Sequence, residues 1–174
     1  MPDLPVMPAQ LWKQLDSDRK ATAANAFWRD DTARAEQAEA LALIAQRIKF
    51  RLKSVQAMPL EKKTRQLVSL PAVSEIVAAR LLVSYHLVHQ RPMMGQFLDA
   101  LSIKHEEGLI AEEELTPPSA EQLTAAAAAL DSFPAEDVSL YFSTLLWQDP
   151  DTWKGLQELP QVRSRLEDAS TPRA

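Results

Sequence analysis

Histidine is the residue type here best suited to chemistry, and the chain has three. His86 and His89 stand three apart, so on a helix they share a face. His105 and Glu106 follow one helical segment later and can approach them if that segment folds back. Two imidazoles with a carboxylate suit zinc or iron. The surrounding pattern argues against such a site. Metal centres in helical bundles draw carboxylates from facing helices through Glu-x-x-His motifs, and neither that motif nor His-Glu-x-x-His occurs. Histidines near a helix end also complement its dipole and reach water. No metal or other cofactor is therefore expected, with His86, His89 and His105 the candidates should one bind.

Covalent catalysis has less support still. Cysteine is absent, which removes thiolate nucleophiles, thiolate zinc sites and disulfides. There is no Gly-x-Ser-x-Gly elbow. Three glycines in 174 residues cannot supply phosphate loops or many turns of positive φ. Carboxylate runs such as Asp30–Asp31 and Glu112–Glu113–Glu114 are of a kind usually solvated. No residue is assigned a catalytic role, and the chain reads as non-enzymatic.

Charge offers the next candidates. Net charge is −5, which disfavours general nucleic-acid binding. Yet Arg47, Lys49, Arg51, Lys53, Lys62, Lys63 and Arg65 face one acid, Glu61, across 47–65. Arg47, Lys49, Arg51 and Lys53 alternate with Ile48, Phe50 and Leu52. A continuous helix would spread those four bases over more than half of its circumference. They are candidate binding residues, for a polyanion or for acids of the fold or a partner. Trp147 and Trp153 are candidates of another kind, because large aromatics anchor interfaces as often as they cover cores. Met93–Met94 could line an adaptable groove, although gap-filling in a core is the commoner use.

The elements that must position these residues read as all-α. Twelve prolines punctuate apolar segments of helical period. Asp16 or Ser17 caps a helix running through Phe27 and Trp28, and Asp30–Asp31–Thr32 break and restart the chain. Ala38, Leu41, Ala45, Ile48, Leu52 and Val55 are spaced 3, 4, 3, 4, 3, which predicts one helix over about 32–54 with a heptad seam. Pro59 starts the next helix. Pro71 opens the segment 72–89, apolar nearly all round and so expected to be the buried central helix. Arg91–Pro92 ends it, and Met93 to Ile103 form another. Ser119 with Gln122 has capping-box spacing before an Ala-rich run. Pro134, Asp149–Pro150 and Pro160 open the last helices.

The expected architecture is a bundle of about seven to nine helices around 72–89. The main bundle is assigned to 1–103, an acidic connector to 104–118, a smaller helical lobe packed on the bundle to 119–168, and a frayed tail to 169–174. Leu109 and Ile110 are expected to tether the connector. The functional expectation is a helical protein–protein interaction or assembly module, self-associating at its simplest as a homodimer, with a protein partner or a second copy as its ligand. The alternatives are metal or small-ligand binding through His86 and His89, a reading that leaves room for an enzyme, and polyanion binding through 47–65. The absence of cysteine and of a long uncharged apolar run suggests a cytoplasmic chain without a membrane span.

Overall fold

Local capping signals set where the helices begin. The computed structural model describes residues 5–170, with side chains described through 167. It contains eleven α-helices among those residues: α1 Pro8–Gln14, α2 Ser17–Trp28, α3 Arg34–Ile48, α4 Leu52–Gln56, α5 Leu60–Val68, α6 Glu75–His89, α7 Arg91–Ala100, α8 Ala120–Ala128, α9 Ala135–Gln148, α10 Pro150–Trp153 and α11 Pro160–Ser170. Two 3-10 turns, Asp31–Ala33 and Lys154–Glu158, and one two-residue-per-strand hairpin complete it. The protein is all-α. The helix count exceeds the expected seven to nine, partly because the segment expected at 32–54 is two helices. Of the tail expected at 169–174, positions 169 and 170 end α11 and the rest lies outside the described residues.

The chain divides into two units, one built from 8–88 and the other from 89–170 with 5–7. In the first, α2 packs on α5 and α3 on α5 and α4. Asp16 caps α2, its carboxylate accepting from the Arg19 N–H at 2.8 Å and pairing with the guanidinium at 2.6 Å. Ala23, Ala24, Ala26 and Phe27 form the buried face of α2. The Glu75 carboxylate accepts from the Ala9 N–H at 3.0 Å, tying the start of α6 to α1.

α3 departs from the expected seam. Its buried residues are Ala40, Leu41 and Ile44, while Ala38 and Leu52 are exposed. Gln37 fixes this rotation: its amide donates to the carbonyls of Phe27 and Asp30, both at 2.8 Å. The helix ends at Lys49, which adopts the left-handed conformation (φ 58°, ψ 39°) usually left to glycine or asparagine. The Phe50 N–H closes the turn on the Ala45 carbonyl at 3.1 Å, and α4 folds back on α3.

α6 also begins later than expected. Pro71 does not open it; Ser74 does, its hydroxyl accepting from the Val77 N–H at 3.3 Å. Val77, Ala78, Leu81, Leu82, Ser84, Tyr85 and His86 are buried, but Ile76 is 65% exposed and Val88 60%. The helix is not sheathed along its whole length.

In the second unit α9 contacts α10, α11 and the 3-10 turn that joins them, and α7 contacts α8. Phe97 of α7 meets Tyr141, Phe142 and Trp153 with ring centroids 5.0–5.9 Å apart. Burial raises the Tyr141 hydroxyl pKa well above its ordinary value. The capping box of Ser119 and Gln122 forms in full, and Asp149 caps α10 before Pro150.

Candidate interaction site

The three histidines have three different settings. His86 is buried in α6, His89 is exposed at its end, and His105 is half-buried in the hairpin. Strand β1, His105–Glu106, pairs antiparallel with β2, Leu109–Ile110. His105 Nε2 lies 2.7 Å from an Asp99 carboxylate oxygen, and Nδ1 accepts from the Gly108 N–H at 3.1 Å. An acceptor at Nδ1 places the proton on Nε2, which donates to Asp99. Both nitrogens are then engaged, leaving no lone pair for a metal or a substrate.

Glycine makes this packing possible. A Cβ on Gly95 would stand 3.2 Å from the imidazole Cε1. Gly108 has φ 89°, and a Cβ there would stand 2.8 Å from the Met94 Cβ. His105 is thus the keystone that seats the hairpin on α7. Among the described residues no three His, Asp or Glu side chains come together in a metal-holding group. The neighbouring cleft, about 580 Å³ and open to solvent, is lined by Arg91, Pro92, Gly95, Gln96, Asp99 and Glu107. Arg91 is turned toward Glu107, 3.7 Å from its carboxylate. That lining includes no hydroxyl to act as a nucleophile.

The tryptophan candidates divide. Trp153 is buried in the aromatic cluster, so it is core and not a binding residue. Trp147 is half-buried near the end of α9. Met93 and Met94 are also buried, filling core rather than lining a groove.

The basic stripe separates into two parts. In its distal half Arg65 pairs with Glu61 at 3.2 Å, and the Lys63 ammonium lies over the Trp28 ring at 5.3 Å. In its proximal half Arg47, Lys49, Arg51 and Lys53 are all exposed around the α3–α4 turn, with no carboxylate paired to them among the described residues. Phe50 is 53% exposed between Lys49 and Arg51, and Leu52 is 46% exposed between Arg51 and Lys53. This tip combines apolar surface with charge of one sign.

Sequence reasoning missed a second such surface. Leu109 and Ile110 lie in a strand that contacts α7, as a tether would, yet they remain 44% and 36% exposed. Around them stand Glu106, Glu107, Glu112, Glu113 and Glu114. The signal was present as an apolar pair inside a run of glutamates.

No family model, curated protein or solved structure matches the chain. No helix among the described residues is long and apolar enough to cross a membrane.

Proposed function

We propose that the chain is a non-catalytic interaction module that docks an acidic, partly apolar protein surface on its α3–α4 tip. One observation carries the reading: Phe50 and Leu52 stand exposed among four cations that no carboxylate of the described fold neutralises. Apolar side chains in water favour burial by a partner, and surrounding charges select its sign. A cytoplasmic setting, the expectation from the cysteine-free composition, belongs with this reading.

Polyanion binding is the second reading, since the same cations would attract a phosphate backbone. It is the weaker of the two. The tip offers a single exposed aromatic, whereas modules that bind single strands stack successive bases on several.

Fluorescence anisotropy with a labelled peptide of alternating Glu and Leu tests the proposal. The wild type is expected to bind it, and Phe50→Ser with Lys49→Glu and Arg51→Glu to weaken binding at least about tenfold. The exposed control Lys154→Glu is expected to change nothing. Equal binding by the triple variant, or preference for an oligonucleotide of equal charge, overturns the reading.

A further inference from the structure

Resting on that docking reading, we infer that the partner of the tip is a second copy of this chain, presenting its hairpin Glu106–Ile110 and the glutamates that follow. The two surfaces match in both respects that matter. Seven large apolar residues are exposed among the described residues, and four of them, Phe50, Leu52, Leu109 and Ile110, lie in these two places. The tip carries Arg47, Lys49, Arg51 and Lys53 with no acid between 47 and 60; the hairpin segment carries five glutamates with no Lys or Arg between 105 and 116. Apolar groups would meet apolar groups inside a ring of opposite charges, the usual arrangement of a small interface.

The charges are available on both sides. Glu106, Glu113 and Glu114 pair with no cation among the described residues, and neither do the four bases of the tip. The hairpin is also held in shape before binding. Asp99 and the Gly108 N–H fix His105, and the Glu112 carboxylate accepts the Lys104 N–H at 2.9 Å. A surface already ordered loses little conformational freedom on association.

Tip and hairpin are different patches and each copy offers one of each, so two copies that pair them reciprocally close a two-fold dimer, while single head-to-tail contacts extend into a larger ring or an open chain. A symmetric dimer through a single patch would set four cations against four cations.

Sedimentation velocity on the full chain tests this. Between roughly 10 and 500 μM at low salt the wild type is expected to sediment faster as concentration rises, and at about 0.5 M salt to lose that dependence. Two variants isolate the halves. Lys49→Glu with Arg51→Glu removes the tip, and Glu106→Gln with Leu109→Ser and Glu113→Gln removes the hairpin. Each alone is expected to stay monomeric. Mixed, they are expected to form a discrete one-to-one dimer, because one supplies an intact hairpin and the other an intact tip. Should the hairpin variant lose its helical circular dichroism, a synthetic peptide of residues 104–115 replaces it. That peptide is expected to bind wild type and not the tip variant.

A wild type monomeric at every concentration overturns the inference. So does a variant that associates as wild type does, or a mixture that yields no dimer. If the wild type stays monomeric yet still binds the Glu–Leu peptide, the docking reading survives and only the identity of the partner falls. If neither binds, both fall.

Discussion

α6 and α9 are similar in length and both rich in apolar residues, yet they are buried to different degrees. α6 buries seven of its fifteen residues and leaves Ile76 and Val88 in water. α9 buries an unbroken run of ten, from Asp137 to Leu146, and that run includes Ser139, Ser143 and Thr144. The hydroxyls of Ser143 and Thr144 donate to carbonyls four residues back, at 2.9 and 2.8 Å. Ser139 donates to the Gln161 carbonyl at 2.6 Å and accepts from Arg165 Nε at 2.5 Å. A polar side chain can enter a core at little loss when its hydrogen bonds are made there. How deeply a helix sits thus depends on satisfied polarity as well as on apolar count, and this is what made α6 look central in the sequence and α9 ordinary.

The largest expected effect tests that contrast at the better-buried helix. Phe142 is fully enclosed and in ring contact with Phe97 and Tyr141. Phe142→Ala should destabilise by about 3–5 kcal/mol in urea unfolding, the range for deleting a buried ring. A loss below about 1 kcal/mol would mean that α9 is loosely packed.

Arg165 comes next. Its guanidinium is buried and reaches both Ser139 and the Glu136 carboxylate, the latter at 2.6 Å. Arg165→Ala leaves the buried Ser139 hydroxyl without its donor and the Glu136 carboxylate without its cation. Glu136 keeps access to water, which moderates the loss to about 1–3 kcal/mol. Ser139→Ala removes the acceptor instead, and the double variant should lose less than the sum of the two. Strict additivity would break the network account.

In the equivalent polar tie of the first unit the guanidinium is less buried, Arg80 being 24% exposed against 6% for Arg165, so a smaller effect is expected. Asp30 accepts from the Thr32 N–H and hydroxyl at 2.9 and 2.6 Å, and Arg80 of α6 reaches both Asp30, at 3.0 Å, and the Thr32 hydroxyl. Partial burial alone would raise the Asp30 pKa, but the Thr32 hydrogen bonds and the guanidinium outweigh it and hold it below the ordinary 3.8. A folded-state pKa below the unfolded one stabilises at pH above the unfolded value and is lost as pH falls through the folded value. Asp30→Asn should therefore cost about 1 kcal/mol at neutral pH, a cost that shrinks as pH falls through the lowered folded-state value. Stability curves of wild type and variant that stay parallel into acid would remove Asp30 from the account.

What could be read from sequence and what could not follows from the range of each interaction. The caps Asp16, Ser119 with Gln122, and Asp149 were legible because a cap is settled within four residues. The rotation of α3 was not, because it depends on Gln37 reaching carbonyls seven and ten residues away. The alternation Lys49–Phe50–Arg51–Leu52 fitted a continuing heptad seam, and only the left-handed Lys49 turns it into an exposed tip. The four bases are named as candidates, but Leu52 is counted in the seam and Phe50 is given no place of its own. At the hairpin, two strands of two residues are too short to show a β period. The Gly108 N–H on His105 Nδ1 is local, but what seats the hairpin is reach to α7, through His105 Nε2 on Asp99 and the close approach of Gly108 to Met94.

The smallest expected effect is the most diagnostic for α6. Ile76 lies in the first turn of that helix with most of its surface in water, so Ile76→Gln removes little buried apolar area. Glutamine has a slightly better helix propensity than β-branched isoleucine. The two changes nearly cancel, and the stability difference should lie within about 0.5 kcal/mol in either direction. The same substitution on a helix packed all round would leave a polar amide buried without partners, at about 1–3 kcal/mol. A loss of that size would restore the sheathed rod that the hydropathy of 72–89 suggests, and with it the idea that apolar count alone sets depth. A near-zero change leaves α6 as a helix buried through its middle and open toward both ends, and leaves α9 as the more completely enclosed of the pair.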